Sequence, residues 1–349
     1  MIPVFDGHND VLLRLFRDPG RREEIWLTGE GKGHLDRPRM KAGGFAGGFF
    51  AVYIPSPEIT DLDALDKAMD APPYDLHLPG VIPVGLAMPV ALAKVGHLMW
   101  MERQGGLRIV RTVGDIRACM ADGTIAAILH MEGAEAIGAD LDALHVWHAA
   151  GLRSVGPVWS RPTAFGHGVP FRFPGSPDTG PGLTDAGKRL VRECNGLKIM
   201  IDLSHLNEKG FDDVAAISDA PLVATHSNAH AVTPSTRNLT DRQLDAIRES
   251  KGMVGLNFAT VFLNPDGRKS PAGLDPLLRH LDYLLDRLGE DHVGFGSDFD
   301  GATIPVEIGD AAGLPRLIDV LRAHGYGEPL LHKIAHQNWL AVLERTWGA

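Results

Sequence analysis

The stretch Ile125-Ala-Ala-Ile-Leu-His-Met-Glu-Gly133 holds the reading of the fold in miniature. An apolar run of strand length ends in an imidazole, a carboxylate and a glycine. Continuous apolar runs, as opposed to alternating ones, mark strands buried on both faces, the habit of parallel sheets. Working outward, seven more such runs occur: Pro3–Phe5, Gly48–Ile54, Ser154–Val158, Lys198–Asp202, Leu222–Thr225, Met253–Asn257 and His292–Phe295. Helical patterns separate several of them. Thr184 and Thr240 are N-cap candidates before 185–195 and 241–249. Leu277, Leu281, Leu284, Leu285 and Leu288 carry helical spacing ahead of the last run. Eight buried strands with helices between them predict an α/β protein, a (β/α)8 barrel of the TIM type.

The 349 residues show no internal repeat, low-complexity tract or dividing linker, so one barrel domain over 1–349 is expected. Two segments are long for connections. Residues 159–182 hold five Pro and five Gly with no helical period, and 19–47 are irregular and charged. Long irregular loops in compact domains tend to be lids or binding loops.

Lys and Arg number 34 against 44 Asp and Glu, a formal charge of −10. That balance argues against a nucleic-acid partner, which requires a basic patch. Cys119 and Cys194 make no disulfide framework, and the N-terminus has no basic-then-apolar leader pattern, so a cytoplasmic protein is expected. The most apolar stretch, 80–101, is interrupted by Pro83, Pro89, Lys94 and His97 and does not read as a membrane span.

There are 16 His, and their positions matter more than their number. The strand ends read Asp6-Gly-His-Asn-Asp10, His130-Met-Glu-Gly133, Asp202-Leu-Ser-His205, Thr225-His-Ser-Asn228 and Gly296-Ser-Asp-Phe-Asp300. In a barrel these ends converge on one mouth. His8 and Asp10, two apart, share a side of an extended strand end and are placed to chelate one cation. His205 and His226 end consecutive strands and are placed to hold a second. Glu132 is the natural bridge, one oxygen to each. Two ions roughly 3.5–4 Å apart form the usual hydrolytic pair. Nitrogen and carboxylate ligands without thiolate suit zinc, with manganese or cobalt as alternatives. His145, His148, His324, His332 and His336 fall in helical patterns and read as surface or packing residues. His230 reads as a structural loop residue, and Asp300 as a turn former.

These motifs resemble the membrane (renal) dipeptidase family of metallopeptidases, peptidase family M19. The matching pieces are Asp6-Gly-His-Asn-Asp10, Met131-Glu-Gly133, Ile201-Asp-Leu-Ser-His205, Thr225-His-Ser227, Thr236-Arg-Asn238 and Gly296-Ser-Asp-Phe-Asp-Gly301. They run in order from the first strand to the last. The resemblance implies a metal-dependent-hydrolase barrel with two zinc ions. It implies His8 and Asp10 as ligands of one ion, His205 and His226 of the other, and Glu132 between them. It implies dipeptide hydrolysis by a metal-bridging hydroxide, with Asp298 as acid/base and Arg237 gripping the substrate carboxylate. Homodimerisation is also implied.

The sequence departs from the family after strand four, where a Thr-x-His element would orient the substrate carbonyl. Val158-Trp159 stands there instead. Trp159 and His167, in the same loop, are therefore the expected substrate-binding residues. The departure also keeps an alternative open: a barrel amidohydrolase acting on another small amide, lactam or ester.

Overall fold

The computed structural model describes residues 1–57, 67–76, 78–270 and 272–348. Eight strands form the frame: β1 Val4–Asn9, β2 Phe45–Tyr53, β3 Ile125–Glu132, β4 Leu152–Gly156, β5 Met200–Ile201, β6 Val223–Ser227, β7 Met253–Asn257 and β8 Val293–Gly296. Every pairing among them is parallel, in the order β5-β4-β3-β2-β1-β8-β7-β6. A single parallel bridge from Asp202, beyond β5, to Val223 in β6 draws the open ends together. The result is the expected eight-stranded barrel with helices outside.

The apolar runs sort into two cores, as a barrel requires. Phe5, Phe49, Ile128, Met200, Val223 and Met253 fill the interior. Their neighbours Val4, Phe50, Leu129, Ile201, Ala224 and Val254 face outward into the helix layer. Both faces are apolar, which is why the strands read as unbroken runs. Trp339, from the helix Asn338–Trp347, stoppers the interior core, its indole N–H donating to Phe295 O at 3.0 Å.

Two sequence expectations need correcting. The 159–182 loop contains a strand, Phe171–Phe173, paired antiparallel with Tyr74–Leu76. Its alternating Phe-Arg-Phe is too short to stand out among prolines and glycines. The 19–47 segment contains the helix Arg37–Ala42, capped by Asp36 through the Arg39 amide. A further short strand, Leu107–Ile109, pairs with the start of β3.

The helix Val84–Arg103 runs continuously through Pro89. It is, by length and composition, the one helix among the described residues that could cross a membrane. Here Ala87, Ala91, Val95, Leu98 and Met101 are buried in the outer core, which fits the core helix of a barrel equally well.

Candidate metal centre

β3 delivers two polar side chains by alternation alone. Ile128 faces the interior, so His130 and Glu132 follow it inward. β1 and β6 need a further device. Strict alternation would group His8 with Val4, which faces outward. However, Asp6–Asn9 of β1 lies opposite Gly48–Phe50 of β2, one extra residue on β1. Likewise Ala224–Ser227 of β6 lies opposite Val254–Leu256 of β7. Such bulges re-aim side chains and gather near active sites. Both imidazoles lie within these bulged stretches, and they stack with centroids 3.9 Å apart. His205 and Asp298 come from turns beyond their strands, in left-handed backbone at φ 68° and 58°. Non-glycine residues held there are characteristic of functional sites.

The side chains expected from the sequence do meet. His8 Nε2 lies 3.4 Å from Asp10 Oδ2 and 3.6 Å from Glu132 Oε2. The other Glu132 oxygen, Oε1, lies 3.1 Å from His205 Nε2 and 3.6 Å from His226 Nε2. Asp298 joins His8 and Asp10 in a second cluster of potential ligands. Gly301 lets the carboxylates close in: a Cβ there would lie 2.3 Å from Asp10 Oδ2 and 2.4 Å from Asp298 Oδ1.

Hydrogen bonds behind the imidazoles set their tautomers. Thr225 Oγ1 donates to Asp202 Oδ2 at 2.6 Å, so its oxygen accepts from His226 Nδ1 at 2.9 Å. Ser160 Oγ lies 2.7 Å from His205 Nδ1. Holding the His226 Nδ1 proton this way leaves its Nε2 lone pair for a cation, and a proton on His205 Nδ1 donated to Ser160 would do the same there, the usual support of a metal-binding histidine. Those two Nε2 atoms face each other at 3.0 Å.

The electrostatics show the same demand. Burial holds His205 and His226 well below the usual imidazole range, so both are neutral. Burial also opposes charge on His8, but Glu132, Asp10 and Asp298 outweigh it and lift the ring to about 10. Burial raises Glu132 to about 8, against the pull of His8 and with Asp10 and Asp298 adding to it. Buried carboxylates competing for one imidazolium are carboxylates short of positive charge. Neither ring nitrogen of His8 has a hydrogen-bond partner among the described residues. Neutral imidazoles, converging lone pairs and clustered carboxylates fit divalent cations.

A cavity of about 320 Å³ opens above this cluster. Glu132, His205 and Asp298 form its polar floor; Tyr53, Trp159, Phe171 and Phe262 line its walls. Trp159 thus takes the position expected of it. Arg237 does not line the cavity. It lies behind Phe262, whose ring is 5.2 Å from the guanidinium, and it donates to His226 O at 3.1 Å. Its Nε has no partner among the described residues, and burial lowers it only to about 10, so it stays cationic. His167 is also absent from the lining; its Nδ1 is 3.3 Å from Gly182 O and its carbonyl accepts from the Asn207 amide. These contacts tie down the loop. His230 similarly pins Gly175 O at 2.8 Å. Asp300 lines the cavity, but its carboxylate is engaged by Arg14 at 2.9 Å and by the His34 amide.

Several contributors were not singled out from sequence. His130 sits edge-on to His8, with Nδ1 3.0 Å from Ser154 Oγ and Nε2 3.5 Å from Asp202. Its signal was its place two residues before Glu132 on one strand face. Asn257, ending β7, donates to Asp298 Oδ2 at 3.0 Å. Ser160 carried no signal, because only folding brings its loop over His205.

An imidazole–carboxylate cluster at the carboxyl ends of barrel strands, under a closed-in cavity, defines a metal-dependent hydrolase. Comparison with known proteins narrows the class. The model of the membrane dipeptidase family, peptidase family M19, matches residues 1–347, and the chain belongs to that family. It is therefore a metallodipeptidase, hydrolysing dipeptides. A metallo peptidase from Rhodobacter sphaeroides, crystallised with a phosphinate mimic of the dipeptide L-Ala-D-Ala, is 70% identical over 99% of both chains, with a TM-score of 0.98. The structure of a dipeptidase AC of the same peptidase family is also 70% identical, over 100% of this chain and 99% of its own, with a TM-score of 0.97. A Klebsiella pneumoniae protein encoded 5′ of pqqA is 53% identical across 244 residues, 70% of this chain and 90% of its own length.

Proposed function

We propose that the protein cleaves dipeptides at a centre of two zinc ions, His8 and Asp10 holding one, His205 and His226 the other, with Glu132 shared between them. The observation that carries this reading is the division of Glu132: one oxygen faces His8 and the other faces His205 and His226. The ligand set contains no thiolate, which suits zinc among the common hydrolytic metals. When bound, such a pair of ions acidifies water and polarises a peptide carbonyl.

The chain's own residues supply the rest. Asp298, on the cavity wall and oriented by Asn257, takes the proton released by the attacking water and passes it to the leaving amine. Arg237 supplies positive charge from behind the Phe262 wall, and its Nε–H, without an acceptor among the described residues, is the donor the substrate's free carboxylate would take up where that wall gives way. Trp159, Phe171 and Phe262 exclude water around the substrate side chains. The ligand of the Rhodobacter sphaeroides neighbour supports acceptance of a D-residue at the second position.

Metal analysis of purified protein tests the reading directly. About two zinc ions per chain are expected; full dipeptide turnover by a metal-free preparation would overturn it. Arg237→Ala tests the carboxylate role. Loss of a charged hydrogen bond is worth about 1.5–3 kcal/mol, so kcat/KM for dipeptides should fall about 100-fold. The same dipeptides as C-terminal amides should lose far less. Equal losses in both series would remove Arg237 from substrate binding.

A further inference from the structure

The cavity wall carries a proton donor that the ligand set does not use. Tyr53 ends β2, and Phe49 and Ala51 share its face. Phe49 belongs to the interior core, so that face points inward. β2 and β3 pair without slip here: Phe49 opposite Ile128, Ala51 opposite His130, Tyr53 opposite Glu132. In-register residues of neighbouring strands present their side chains on the same side. Tyr53 therefore stands beside the carboxylate at the heart of the cluster, and its side chain lines the cavity.

Its ring is held on several sides. The Trp159 ring lies 5.0 Å away, the Lys94 ammonium 5.4 Å and the Arg161 guanidinium 5.5 Å. Arg161 is fully buried and fixed by Ser56 Oγ, the Ile54 carbonyl and Glu135. Guanidinium and ammonium groups can only donate, so neither neighbour offers the phenol an acceptor and its proton is left for one in the cavity.

We infer that Tyr53 donates a hydrogen bond to the carbonyl oxygen of the scissile peptide bond, stabilising the negative charge that gathers there as the carbon becomes tetrahedral. The Arg161 guanidinium beside the ring adds positive potential there, and the tilted Trp159 ring packs against it. Donors fixed before the reaction, in a site closed to water, stabilise such charge without reorganising. Trp159, on the same lining, carries an indole N–H as a rival donor, and the test separates the two. The inference rests on the metal-centre reading above.

Tyr53→Phe keeps the ring and removes only the donor. In zinc-loaded protein, kcat should fall about 100- to 1000-fold, the usual cost of one oxyanion donor. KM should stay within about threefold and zinc content should match wild type. Affinity for a phosphinate dipeptide analogue, which carries tetrahedral oxygens, should fall in parallel with kcat. Trp159→Phe, which removes the indole N–H from a residue of the binding wall, should raise KM and should cost kcat at least tenfold less than Tyr53→Phe, about 10-fold at most. A fully zinc-loaded Tyr53→Phe enzyme with kcat within about threefold of wild type would overturn the inference alone. So would a large kcat loss confined to Trp159→Phe. A wild-type enzyme active without metal would instead overturn the metal-centre reading, and this inference with it.

Discussion

Glu132→Ala abolishes measurable dipeptide turnover, and added zinc does not restore it: this is the largest effect expected of any single change. Glu132 lies within 3.6 Å of His8, His205 and His226 alike. Removing it takes a shared ligand from both ion sites at once and leaves facing imidazoles with no intervening charge. Zinc content should fall from about two per chain to one or none, and activity by more than about 1000-fold, because both the water and the carbonyl lose their activating cation. The barrel itself should survive, since the packing of β3 rests on Ile128 and Leu129 in the two cores. Circular dichroism separates a folded, metal-poor protein from an unfolded one. A variant that retained two ions and a tenth of wild-type kcat would show that Glu132 does not link the sites.

Asp298→Asn is expected to give the opposite combination, ions retained and turnover lost. Asparagine is isosteric, and its carbonyl oxygen can still accept from Asn257 Nδ2. The turn is held by backbone bonds, Asp298 N to His8 O and both Gly301 N and Ala302 N to Asp298 O, none of which needs the carboxylate. The amide, however, cannot carry a proton between water and leaving amine. General acid–base catalysis contributes about 100- to 10,000-fold, so kcat should fall by about 1000-fold while KM changes little. Asp298 also clusters with His8 and Asp10, so zinc content is measured alongside at saturating metal. Loss of one ion in proportion to activity would make Asp298 a ligand first and a proton carrier second.

Much of this site is legible in the sequence because β3 follows the simplest rule of a strand. From Ile128 to His130 to Glu132 the period of two carries the inner face from apolar core to polar mouth. The same period misplaces His8 and His226. Each is brought to the interior by one extra residue in its strand, visible only when the neighbouring strand's register is known. Tyr53 was hidden for a different reason. It closes the apolar run Gly48–Ile54 and is indistinguishable by composition from a core aromatic. Its partner Glu132 and its cation Arg161 lie 79 and 108 residues away along the chain. His167 shows the reverse error: an imidazole in the right loop that the fold keeps for Gly182 and away from the cavity.

By itself the sequence determined the barrel, since eight doubly buried strands admit few other architectures, and the residue types at the mouth, since strand ends must emerge there. It also determined the family, through motifs preserved in order along the chain. Only the tertiary structure decided which of those residues touch. Bulges, left-handed turns and cross-strand register are set by pairing between segments far apart in the chain, and no local pattern records them. The divided Glu132, the tautomer imposed on His226 by Thr225, the contact of Ser160 with His205, and the phenol beside the metal centre all belong to that second kind of fact.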